Sequence, residues 1–298
     1  KLIDNPSIKN IILLALFSAI GTTMRFAGIF LPITLIFLYI IDKISRRDEL
    51  HLKTILICYF SFFFFLFIFW PNVWSNLPAA IFSSLNLDMS WKGNVNFLGK
   101  YYFSGNLPYY YLFFWIIIST PLIHLILFIF GFYNYIKRLI LRYFTIKQNS
   151  IYNDLWRSSN EKKDFLIFIN LTFFVIVLSF LNIHLYNSWR LGYFLYIFII
   201  YFAAFGIFLL TIKFKKKLVQ LTIIFGILII FLIYRIALYH PYQSLYFNIL
   251  IPPSIKNNVD VDYTGLSAFH FLKEIIDQEK NDKHIKIGVA SWYPLWRM

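Results

Sequence analysis

The chain has 298 residues, of which 59% are hydrophobic, 22% aromatic and only 14% charged. A soluble domain carries about a quarter charged residues, so this composition argues against a water-soluble enzyme or binding module. The formal net charge of +14 is concentrated in short segments between apolar runs, as membrane topology requires, and a basic nucleic-acid patch is the losing explanation.

An apolar stretch needs roughly 20 residues to cross a hydrocarbon core about 30 Å thick. Residues 11–42 are apolar almost throughout, but Gly21, Thr22, Thr23, Arg25 and Gly28 interrupt the run. Two helices are expected there, about 10–24 and 27–42, meeting near one membrane face; a kinked or re-entrant segment is the alternative for the first. Further spans are read over 54–70, 110–136, 164–182, 193–212 and 218–236. Lys43, Arg46, Arg47 and Lys53 fill one connection, the 137–163 segment holds a second set of cations, and Lys213 with Lys215 to Lys217 forms a third. These three fall on one side if every run spans, and the positive-inside bias places them in the cytoplasm.

The opposite face then carries the aromatic loops and the tail. Residues 70–78 begin the longest loop with Trp70, Pro71, Trp74 and Pro78, and a short helix lying along the outer surface is expected over 77–87. Asp88 is the loop's single carboxylate. Farther on, Gly105 and Pro108 bend the chain before Tyr109, Tyr110 and Tyr111, which either line a sugar or lipid cleft or form an interfacial girdle. Arg190, beside Tyr186 and Trp189, is the single cation of the turn over 183–192. A guanidinium at a membrane face matches phosphate oxygens and stays charged; Arg25, at the break in the first apolar run, is similar. The other reading of both is that they snorkel to the interface. His240 follows the last span among several aromatic hydroxyls.

Cys58 stands alone and the six histidines are scattered without a ligand spacing, so neither a disulfide nor a metal site is expected, and no cofactor is evident. No Gly-rich nucleotide fingerprint is present. An amphipathic helix over 265–278 followed by a strand over 285–291 reads as the opening of a soluble α/β domain. Because the chain starts at Lys1 and stops soon after that strand, it is expected to be a fragment of a longer one. The expected fold is an all-α polytopic membrane protein of about seven transmembrane helices, with an outer-face interfacial helix and the start of a C-terminal soluble α/β domain. Residues 1–236 form the membrane domain and 237–298 the extracytoplasmic tail.

Several stretches together resemble one family. They are the 21–28 segment with Arg25, residues 70–78, the LPYYY of 107–111, the YNSWRLGY of 186–193, the HPYQSLYFN of 240–248 and the DYTGLS of 262–267. In this order they resemble the GT-C membrane glycosyltransferases related to bacterial protein O-mannosyltransferases and the lipid A aminoarabinose transferase. The match is partial after the WR pair, where this chain has Leu191 and Gly192. The resemblance implies an enzyme of the bacterial inner membrane. It would move a sugar from a polyprenyl-phosphate carrier to a hydroxyl on a glycan, lipid or protein acceptor at the outer face. It further implies a carboxylate base in a first outer loop, expected upstream of Lys1, with Asp88 as the substitute within this chain. Arg190 and Arg25 are then the candidates for the phosphate, and Trp189, Tyr186, Tyr110 and His240 for the remaining substrate contacts. The rival classes are a polytopic transporter or lipid flippase and a noncatalytic membrane scaffold; the former should show internal repeats and midplane charges, and the sequence shows His124 and Pro121 standing alone in the fourth span.

Overall fold

The computed structural model describes residues 7–24, 26–44, 50–71, 74, 76, 78–79, 93–144, 156–181, 183–243, 246–256, 258–260 and 266–278. In chain order the helices are α1 (Ile8–Met24), α2 (Phe30–Ile44) and α3 (Leu52–Phe69), followed by a hairpin of β1 (Asn94–Phe97) and β2 (Lys100–Phe103). Then come α4 (Tyr111–Ser119), α5 (Leu122–Phe144), α6 (Ser159–Phe180), α7 (Tyr196–Lys213) and α8 (Leu218–Leu238). A single turn, α9 (Pro253–Lys256), and α10 (Leu266–Gln278) complete the described tail. Arg25, Asp88, Asp262, most of the expected surface helix over 77–87 and the expected strand over 285–291 lie outside the described residues.

The architecture is all-α and of membrane type. Five helices are long and apolar enough to cross a bilayer: α3, α5, α6, α7 with its 3-10 lead-in, and α8 with the turn before it. The first apolar run divides as its composition suggests, but α1 has 17 residues and α2 has 15. At 1.5 Å per residue they reach only about 26 and 23 Å, so among the described residues five helices, not seven, meet the length of a span. The return between α1 and α2 is tight. A Cβ on Gly28 would lie 2.4 Å from the Gly21 carbonyl carbon, so only glycine allows the backbones to meet there.

The run read as one span over 110–136 is two helices. Pro121 has no N–H to give Ile117, and its ring disfavours helical backbone at the preceding residue; Thr120 is extended, with ψ 135°. The helix ends at Ser119 and restarts at Leu122.

Small residues set how closely the helices approach, as packing between membrane helices requires. Ala15, Ser18 and Ala19 of α1 are buried, and the two alanines pack in one cluster with Cys58 and Phe62 of α3. Between α5 and α7 the backbones touch: a Cβ on Gly131 would sit 2.0 Å from the Phe202 carbonyl oxygen. By contrast α8 buries none of its residues and is apolar all round, as a helix solvated by lipid is.

The bundle has two chemically distinct ends. At the basic end, Ser158 caps α6 by accepting the Glu161 N–H at 3.3 Å, and Glu161 and Asp164 pair with Arg142 and Arg138 of α5. At the hairpin end, Leu98 and Gly99 adopt φ 53° and 76°, the two left-handed residues of a tight two-residue hairpin turn. Val95 and Phe97 then alternate inward to 1% and 0% exposure.

The tail docks on this hairpin. Asp260 accepts the Asn96 N–H at 3.0 Å and returns its own N–H to the Asn96 carbonyl at 3.1 Å. Burial raises the Asp260 carboxyl above its ordinary value, with the Asn96 N–H pulling the other way. An acid whose pKa is raised on folding contributes most below the ordinary Asp range, and its contribution is lost as pH rises through the folded value. Docking of residues 258–260 is therefore expected to loosen as pH rises from the ordinary Asp range through the raised folded value, and Asp260→Asn to abolish the dependence. Hydrogen exchange at the Asn96 amide, corrected for its intrinsic rate, checks this; protection that grows toward alkaline pH would reverse the sign.

Candidate functional site

A cavity of about 680 Å³ opens at the hairpin end, between α8 and the ends of α5 and α7. Its first wall is the break before α5, which contributes Ser119, Pro121 and His124. The second is the turn into α7, with Trp189, Arg190, Tyr193 and Tyr196; the third is the last two turns of α8, with Leu232, Arg235 and Tyr239. Gln243 and Tyr246 of the tail close the rim.

The turn that presents Arg190 is strained. Asn187 and Ser188 are consecutive non-glycine residues at φ 53° and 61°, a backbone state that costs of order 1–3 kcal/mol per residue and persists only where the surroundings enforce it. Three contacts do so here. The Tyr111 hydroxyl donates to the Ser188 carbonyl at 3.1 Å, the Trp189 indole N–H donates to the Ser119 hydroxyl at 2.7 Å, and that hydroxyl donates to the Trp115 carbonyl at 2.7 Å. Trp189 is buried and Arg190 is exposed, so the indole is the anchor and the guanidinium is what the turn displays to the cavity.

Arg235 approaches from the opposite wall. Its guanidinium lies 5.3 Å from the Tyr239 ring centroid and 5.9 Å from that of Tyr246, positions from which the ring faces attract a cation. Burial raises the Tyr246 phenol above its ordinary value, Arg235 opposing and Tyr239 reinforcing the rise, so its hydroxyl remains a proton donor. Tyr193 and Tyr196 stack at 5.5 Å with Trp189 edge-on to Tyr193 at 5.3 Å, giving the cavity an aromatic side. The Tyr196 hydroxyl meets His124 Nδ1 at 2.6 Å.

The tail segment after α8 is fixed by the defect Pro121 creates. Asn248 is buried, and its side-chain NH₂ donates to the Ile117 carbonyl at 2.5 Å and the Thr120 carbonyl at 2.9 Å. Its backbone N–H reaches the Ile118 carbonyl at 2.9 Å. In an unbroken helix without proline these carbonyls would accept from the N–H groups four residues on. Asn248→Ala strands two buried carbonyls and is expected to cost about 2–3 kcal/mol, read as a lower thermal midpoint in detergent; an unchanged midpoint would mean that water replaces the amide.

Of the residues singled out from sequence, Arg190 and Trp189 line the cavity. His240 stands just behind its rim, with Nδ1 2.9 Å from the Gln243 side-chain nitrogen. Tyr110 and Tyr186 lie elsewhere: Tyr110 packs on Phe97 and Tyr109, and Tyr186 packs against the main core. Neither touches the cavity, because Tyr111 takes the inward position on its helix and Trp189 the inward position in its turn. Tyr246 is one of the aromatic hydroxyls expected after the last span, whereas Arg235, Tyr196 and the partnered His124 are lining residues the sequence reading did not single out. The one signal for Arg235 was a cation near the end of an otherwise apolar run, four residues before Tyr239.

Chemically, the cavity offers two guanidiniums, several phenols, an imidazole and stacked aromatic faces beside an apolar helix. The described lining holds no carboxylate, and no group of three metal-ligating side chains occurs among the described residues. Such a site suits a phosphate ester bearing a polar ring on one side and an apolar chain on the other. Set beside known family models, curated proteins and solved structures, the chain matches none of them.

Proposed function

We propose that this chain is the membrane part of a glycosyltransferase that takes a sugar from a polyprenyl-phosphate carrier and passes it to an acceptor hydroxyl at the outer face of a bacterial inner membrane. The observation that carries the reading is the cavity bounded on one side by the exposed, apolar α8 and lined by Arg190 and Arg235. A polyprenyl chain lies along α8, the phosphate sits between the guanidiniums, and the sugar rests on the Trp189, Tyr193 and Tyr196 rings. In this proposal the basic loops face the cytoplasm, the short helices α1 and α2 complete seven spans, and the tail is outside.

In the transfer, the bond between the anomeric carbon and the phosphate oxygen breaks and a new bond forms to the acceptor oxygen. The acceptor proton goes to a base, and the polyprenyl phosphate departs with an added negative charge. Guanidiniums already in place lower the barrier by meeting that charge where it grows. The cavity lining supplies no carboxylate base, so this chain's described part in the reaction is to hold donor and leaving group; the base belongs to other residues.

The test is transfer of radiolabelled sugar from polyprenyl-phosphate sugar in membranes containing the full-length protein. Labelled acceptor above the vector control supports the proposal. An absence of turnover across carrier lipids and sugars overturns it in favour of lipid translocation or scaffolding.

A further inference from the structure

We propose that the lysine turn between α7 and α8 is a docking point for anionic phospholipid headgroups, and that this contact fixes the tilt of α8 and with it the place of Arg235 in the cavity. It does not depend on the transferase reading. Lys213 ends α7, and Lys215, Lys216 and Lys217 form a single 3-10 turn before α8 begins at Leu218. All four side chains are exposed. The sequence has no Asp or Glu between Asp164 and Asp260, and among the described residues no carboxylate forms an ion pair with any of the four lysines. Lys213 rests instead 5.7 Å from the centroid of the Phe214 ring. Like charges packed into so short a turn repel one another, so the anion that compensates them comes from the surroundings.

The position of the turn identifies that anion. α7 with its lead-in and α8 with this turn are both long and apolar enough to cross a bilayer, so the turn joining them lies at the level of the headgroups. Ile212, Phe214, Leu218 and Val219 flank the lysines and are exposed at 59%, 39%, 42% and 74%. A soluble phosphate would leave this apolar border uncovered, whereas a phospholipid sets its phosphate on the ammoniums and its acyl chains against the border. Lysine clusters at the ends of membrane helices draw anionic headgroups in this way, with a gain of about fivefold in affinity per cation.

The effect on α8 follows from its lack of packing. The helix buries none of its residues, and even Leu221, Leu228 and Leu232, which share the Arg235 face by their spacing, are only half-buried. Its orientation is therefore set at its two ends. At one, the Arg235 guanidinium lies against the Tyr239 and Tyr246 rings; at the other is the lysine turn. Arg235 lies about five turns beyond Lys217, roughly 27 Å at 1.5 Å per residue, so a change of tilt at the turn becomes a displacement of the guanidinium at the cavity.

Spin labels on Ile197→Cys of α7 and Ile233→Cys of α8, both exposed positions, report the distance between the two helices beside the cavity. The full-length protein, its other cysteines replaced by serine, is placed in phosphatidylcholine nanodiscs, titrated with phosphatidylglycerol and read by pulsed electron paramagnetic resonance. A broad distribution is expected in phosphatidylcholine alone, and phosphatidylglycerol is expected to narrow it to one distance. Diacylglycerol, which lacks the phosphate, and soluble glycerol 3-phosphate, which lacks the chains, are expected to leave it broad. Lys215→Gln with Lys216→Gln and Lys217→Gln is expected to raise the phosphatidylglycerol needed on the order of a hundredfold, at about fivefold per cation. Should that triple variant melt abnormally in phosphatidylcholine, Lys216→Gln alone is expected to raise it about fivefold. The same distribution with and without phosphatidylglycerol, an equal response in the variants, or narrowing by glycerol 3-phosphate each overturns the proposal.

Discussion

On the proposed transferase reading, Arg190→Ala is expected to lower the rate of sugar transfer by on the order of 10²–10³-fold, the usual loss when one preorganised donor to a developing oxyanion is removed. The charge on a departing polyprenyl phosphate is larger in the transition state than in the bound donor. The loss should therefore appear mainly in kcat, with a smaller change in KM. Arg235→Ala is expected to act in the same direction, with an added rise in KM, because its guanidinium also orders the Tyr239 and Tyr246 rings that line the cavity. Lysine at either position should rescue little, since a point charge on a flexible stem cannot reproduce a planar fork. Initial rates against donor concentration, with membrane expression and thermal midpoint matched to wild type, separate these cases. Full activity in both alanine variants would remove the phosphate role from this cavity while sparing the enzyme class.

The long apolar runs were legible because a span is a one-dimensional property: length and hydropathy fix it, and α3, α6, α7 and α8 lie close to where the sequence places them. What escaped was whatever depends on pairing across the chain. Pro121 was visible, yet its consequence, a helix break stitched by Asn248 from 128 residues downstream, is a tertiary event that no local pattern encodes. The hairpin was hidden for a similar reason, because Leu98 in the left-handed position is not a turn residue by type, and the bridge that Val259 of the tail adds to Phe97 joins segments far apart in the chain. At the cavity, Trp189 and Arg190 were readable as a rare polar insertion between spans. Arg235 and His124 each looked isolated in sequence, and only the approach of α8 and of Tyr196 gives them company.

Lys162→Met is the second change expected to act strongly, here on stability. Lys162 and Asp42 are 2% and 0% exposed, and their charged atoms are 3.7 Å apart. The other Asp42 oxygen accepts the Leu50 N–H at 2.8 Å, and the ammonium lies 5.5 Å from the Trp156 ring centroid. The pair thus joins α2 to α6 and gathers Leu50 and Trp156, the segments flanking both helices, over one small core. Removing the lysine alone leaves a buried carboxylate with no counter-charge, which costs about 3–5 kcal/mol. Replacing both, Asp42→Asn with Lys162→Met, removes the orphaned charge while keeping an acceptor for Leu50. It is therefore expected to recover most of the loss, since a buried ion pair contributes little net stability over a neutral replacement. Thermal or denaturant unfolding of the two single variants and the double variant in detergent gives the coupling directly. A double variant as unstable as the sum of the singles would mean that packing of the lysine stem, and not its charge, holds the basic end together.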